Sequence, residues 1–215
     1  MRRGKFRQIA LYKIDFLCYN GIQSYYKEYP MNALTIIGQI LGMVAMALIV
    51  FSFQCKKPQS LFVVQIASCL MFILHYLFLG LGGDPAAYSG MSQNAVGLIF
   101  RSILAMSEKR KGLLSPMVLA GMGALAGVVA VLSYPGRLIA LLPVIANYAC
   151  MGCMWTKNSN TIRATQLAII SPFWLTYNVV TGSIAGILTE TFNIISIGVY
   201  YVRMGVEKKK QKSAV

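Results

Sequence analysis

Seven long apolar runs, joined by connections of a few residues, constrain this chain more than any other feature. A helix needs about 18–20 apolar residues to cross the hydrocarbon core of a bilayer. The runs lie near 33–53, 61–81, 86–106, 113–133, 138–155, 164–181 and 183–202. The connections (Gln54–Ser60, Gly82–Pro85, Ser107–Gly112, Tyr134–Arg137, Thr156–Arg163 and Gly182) are too short to hold a soluble domain. A transmembrane β-strand takes only about 10 residues of alternating pattern, so a barrel does not fit. Only 12% of the residues are charged and the mean hydropathy is +0.61. A soluble domain runs near 25% charged. The expected fold class is therefore all-α integral membrane, with seven transmembrane helices.

Lys and Arg number 20 against 6 Asp and Glu, a net charge of +14. The connections after spans one, three and five, with the C-terminus, hold twelve of the basic residues: Lys56, Lys57, Lys109, Arg110, Lys111, Lys157, Arg163, Arg203, Lys208, Lys209, Lys210 and Lys212. Those after spans two, four and six hold only Arg137. Basic loops stay in the cytoplasm. The C-terminus is therefore expected in the cytoplasm and the N-terminus outside. Residues 1–30 conflict with this, because Arg2, Arg3, Lys5, Arg7, Lys13 and Lys27 resist export. They contain no uncharged h-region of a signal peptide. A start of translation at Met31 removes the conflict. The basic tail 206–215 suits anionic lipid headgroups better than nucleic acid.

The chain carries a weak internal repeat. Gln93–Lys111 (QNAVGLIFRSILAMSEKRK) aligns without gaps on Phe192–Lys210 (FNIISIGVYYVRMGVEKKK), pairing Asn94 with Asn193 and Glu108 with Glu207. His75–Tyr76 precedes Gly80 as Tyr177–Asn178 precedes Gly182. This divides the chain into a first three-helix repeat (31–112), a linker helix (113–134) and a second three-helix repeat (135–205). Two parallel halves joined by one span are related by an axis along the membrane normal. Gly123 and Gly127 in the linker, and Gly38 and Gly42 in span one, have the small-xxx-small spacing of close helix packing.

The stretch SFQCKKPQSLFVVQ (52–65), ILHYLFLG at the end of span two, LLPVIA in span five and YNVVTGSIAG at the last junction resemble the bacterial inner-membrane family YgjV. The resemblance covers about 31–205 and implies an inner-membrane architecture rather than an activity. A more distant likeness is to the three-plus-one-plus-three carriers: SWEET sugar carriers, PQ-loop proteins and the nicotinamide riboside carrier. It implies that Asn94 and Asn193, at the third helix of each half, line a solute pocket. Pro58–Gln59 falls in the connection rather than in a span, a departure from the PQ-loop pattern.

Polar groups within spans are costly and mark functional candidates. At about 1.5 Å of rise per residue, Gln39 and His75 lie roughly 9 Å from the outer ends of their spans, Glu190 roughly 11 Å, and Asn94, Asn147 and Asn193 roughly 12–15 Å. Tyr76, Tyr177 and Asn178 lie close to this layer. Together they predict a substrate pathway through a polar cavity reached from outside. Glu190 and His75, at similar depth, suggest a hydrogen-bonded pair able to carry a proton. Arg101 is expected to snorkel to cytoplasmic phosphates or to act as a gate, and Gln65 and Gln166 to form an inner polar pair. Pro143 predicts a kink beside Asn147. Cys150 and Cys153 have redox spacing but sit inside a helix, where apolar packing is the plainer reading.

These residues point to a small-solute carrier working by alternating access, with a neutral polar solute and the lipid bilayer as partners. A homo-oligomer is equally compatible. The alternative is a sensor or scaffold of the same fold. No enzyme, metal or cofactor is expected: there is no HExxH, no paired carboxylates, and no lysine in span seven for a retinal Schiff base.

Overall fold

A computed structural model describes residues 32–52, 58–107, 110, 113, 115–156 and 158–213. The extension 1–30, Met31, Cys55, Lys56, Lys57, Glu108, Lys109, Lys111 and Lys157 lie outside them. The described residues are helical throughout their ordered elements. Helix α1 is Ala33–Ser52, α2 Pro58–Leu81, α3 Ala87–Ser107 and α4 Pro116–Leu132. A 3-10 turn, Leu138–Leu141, leads into α5, Leu142–Trp155. Helix α6 comprises Ser159–Thr165, a π turn at Gln166–Ile170 and Ser171–Val180; α7 is Ile184–Ser213. Pro58 opens α2 rather than lying in the connection, at a position where its missing N–H costs nothing.

Among the described residues, four stretches are long and apolar enough to cross a bilayer: Ala33–Ser52, Val63–Leu81, Leu138–Trp155 and Ile184–Val206. Helix α4 is apolar but shorter, at 17 residues. The packing explains why the remaining helices are more polar. In order of contact the helices form a ring, α1, α2, α3, α5, α6 and α7, closed by α7 against α1. Helix α4 packs on α3 and α5, outside the ring. Polar side chains of α3 and α6 point into this ring, among them Gln93, Ser171 and Asn178, all buried. The outside is apolar: Ile40 is 59% exposed, Val63 64% and Val202 68%. A water-soluble protein does not expose so much contiguous apolar surface, whereas acyl chains solvate it at no cost.

The paired glycines serve packing. A Cβ on Gly42 would meet both Ala185 and the His75 ring at 2.7 Å, so this glycine admits α2 and α7 against α1. A Cβ on Gly127 would lie 3.0 Å from the Tyr148 hydroxyl, which donates to the Gly123 carbonyl at 2.7 Å and ties the linker to α5.

Pro143 sits in the first turn of α5, so it starts the helix and does not kink it. The irregular span is α6. Pro172 has no N–H to continue the α ladder, and its ring crowds the carbonyl one turn earlier. The preceding turn widens, and the Ser171 N–H bonds the Gln166 carbonyl across five residues.

Candidate functional site

The ring encloses a cavity of about 560 Å³, within the range of small-molecule sites (about 300–1,000 Å³). All six ring helices contribute to its wall and α4 does not. Of the residues expected along a pathway, Asn94, Asn147, Asn178, Asn193, Tyr76 and Glu190 line it, as do Arg101, Gln65 and Gln166. Gln39, His75 and Tyr177 do not.

Those three act instead in a seal at the Gly182 end of the bundle. The His75 ring lies between the Gly38 carbonyl and the Ser183 hydroxyl, at 2.7 Å from each. A carbonyl only accepts, so Nδ1 carries a proton; Nε2 is then free to accept from Ser183, whose oxygen accepts the Gly186 N–H. Tyr177 on α6 makes a similar pair of bonds. Its hydroxyl donates to the Ala86 carbonyl at 2.8 Å and accepts from the Gly90 N–H at 2.9 Å. His75 of α2 thus reaches the start of α7, and Tyr177 of α6 reaches the start of α3. Between them the Tyr76 hydroxyl donates to Asn178 Oδ1 at 2.6 Å. The Gln39 side-chain amide donates to the Gly182 carbonyl, and its oxygen accepts from the Ile184 N–H.

The expected His75–Glu190 pair does not form. The α1–α2 and α2–α7 contacts consume both ring nitrogens, while Glu190 turns toward α6. Glu190 Oε2 accepts from the Ser171 hydroxyl at 2.6 Å and from the Asn193 amide at 3.3 Å. Ser171 in turn accepts from the Gln166 amide at 2.9 Å. The π turn places Ser171 to make both bonds. Gln166 therefore joins Glu190 rather than pairing with Gln65.

Access also differs from the sequence expectation. With the Gly182 end closed by buried residues, the cavity reaches the surface toward the basic end, at the exposed Ser159 and Ser196. Arg163 stands near this mouth, 4.0 Å above the Tyr200 ring. Arg101 does not snorkel. Its side chain folds back one turn over Gly97, where an added Cβ would stand 2.8 Å from the guanidinium. This direction leads away from the basic end and into the cavity. Its Nε is sealed from solvent and has no hydrogen-bond partner.

Sequence reasoning passed over Gln93, whose backbone and side-chain oxygens both accept from the Asn147 amide, at 2.8 and 3.0 Å. Its place beside Asn94 was the available signal. It also passed over Ser171, where a proline follows a serine inside a span. Asn94 itself donates to the Gly90 carbonyl of its own helix while lining the cavity. Cys153 donates to the Cys150 carbonyl, and no group of three His, Cys, Asp or Glu able to hold a metal occurs among the described residues.

Neither a curated protein nor a solved structure matches the chain. One family does: the bacterial inner-membrane proteins Imp-YgjV, over residues 36–208. The match spans nearly all of the ring and α4, and it agrees with an exterior built for acyl chains. The chain therefore belongs to the Imp-YgjV family of multi-pass proteins of the bacterial inner membrane.

Proposed function

We propose that this protein is a small-solute carrier of the inner membrane, and that its seven helices all span the bilayer. The observation that carries this reading is the cavity, walled by six helices and carrying several buried polar side chains, sealed at one end and reaching the surface at the other. A buried static core would close-pack such a volume. The ring order supports two parallel halves, because a half-turn that carries α1 onto α5 also carries the α3–α5 contact onto α7–α1. The reciprocal bonds of His75 and Tyr177 fit the same axis. Alternating access then consists of breaking the Gly182-end seal while the basic end closes. By the lysine and arginine bias, the open mouth is read as cytoplasmic.

Uptake into proteoliposomes tests the proposal. Protein with Asn94→Ala and Asn193→Ala should fold and lose flux of whichever solute the wild type carries. Ligand binding without flux in the wild type would instead favour a sensor with the same cavity.

A further inference from the structure

Three charged side chains line the cavity: Arg101, Glu190 and, at the mouth, Arg163. Arg163 stacks on Tyr200 near the surface, where water screens it. Arg101 and Glu190 lie deeper. Neither makes a salt bridge among the described residues, although each lies within the other's electrostatic reach. Arg101 has the Cys69 thiol beside it, no carboxylate in contact, and an unpartnered Nε. Both residues are partly exposed to a cavity walled by protein, where an ion without a contacting counter-ion is poorly compensated. Both groups are held in place all the same: Arg101 rests on Gly97, and the Ser171 and Asn193 donors fix Glu190.

We propose that the cavity binds a small zwitterion of the amino-acid class, its carboxylate on Arg101 and its ammonium group toward Glu190. This rests on the carrier reading for translocation but not for binding. A sugar would leave both ions unpaired. A simple carboxylic acid would satisfy Arg101 and be repelled by Glu190, and an amine would meet the reverse. A zwitterion pairs both and leaves the total charge unchanged. The guanidinium fork suits a carboxylate in two-point contact. Tyr76 and Trp174, 6.1 Å apart and nearly parallel, line the sealed end.

The test is competition binding to the purified full chain in detergent. The common amino acids are each compared with the matching decarboxylated amine and deaminated acid. At least one amino acid should bind, with both of its analogues about tenfold weaker or more. Glu190→Gln should abolish the preference over the acid and leave the preference over the amine. Arg101→Gln should do the opposite. If either variant fails to fold, the wild-type panel alone decides. An acid or amine that binds as tightly as its parent, or a panel in which no amino acid binds, overturns the assignment. Proteoliposome uptake separates the two readings. Uptake of a sugar that no amino acid inhibits refutes the zwitterion and keeps the carrier. Amino-acid binding without uptake keeps the site and refutes the carrier.

Discussion

The Tyr76 hydroxyl donates to Asn178 Oδ1 at 2.6 Å, joining α2 to α6. Both residues line the cavity, and both are almost wholly buried. This bond therefore forms the floor of the cavity and part of the seal. Tyr76→Phe leaves Asn178 Oδ1 without its donor, at a cost of about 1–3 kcal/mol to the sealed state. A lower Tm is expected. Faster labelling of a cysteine placed at Asn94, by a thiol reagent added from the Gly182 side, would show that the seal has loosened. Unchanged labelling would mean that this bond is not part of the gate.

Gly186 faces the same amide. A Cβ there would collide with the Asn178 side chain. Gly186→Ala should displace Asn178, break its bond to Tyr76, and give the labelling change of Tyr76→Phe with a larger loss of Tm.

Gly42→Ala and Gly121→Ala form a contrasting pair. The first pushes a methyl into the His75 ring and Ala185, and overpacking of this kind costs about 1–3 kcal/mol. The second meets nothing within 4 Å, on the exposed side of α4. There alanine's better helix propensity should add up to about 1 kcal/mol. Thermal unfolding in detergent should move in opposite directions for the two variants.

Pro172→Ala restores an N–H to the α ladder. The π turn at Gln166–Ile170 should relax to a regular α turn and rotate Ser171 away from Glu190. Stability should hold or rise slightly, while solute binding falls because Glu190 loses its Ser171 donor. A structure of the variant that keeps the π turn would locate its cause elsewhere than in the proline.

Much of the site could be read along the chain. Asn94, Asn147, Asn178, Asn193 and Glu190 lie within apolar spans, where polar groups are expensive, and all five do line the cavity. What helix depth could not supply was direction. Gln39 and His75 share a depth with Glu190, yet they turn to backbone carbonyls and the Ser183 hydroxyl at the sealed end. Arg101 lies within reach of the basic end, and snorkelling follows from its position alone. Only the open face of Gly97 lets it fold the other way. The side on which the cavity opens was likewise not written in any residue, because it depends on how the helices close against one another.

The sequence by itself determined that the chain is helical, that its exterior is solvated by lipid, and that its polar groups lie at particular depths. These follow from run length, hydropathy and charge, which are local quantities. The tertiary structure decided which helices adjoin, that α4 stands outside the ring, which end is closed, and which polar groups meet each other. Those depend on side-chain direction around each helix and on close approaches such as Gly42 to His75. A period of 3.6 residues leaves every direction open until the neighbouring helix is in place.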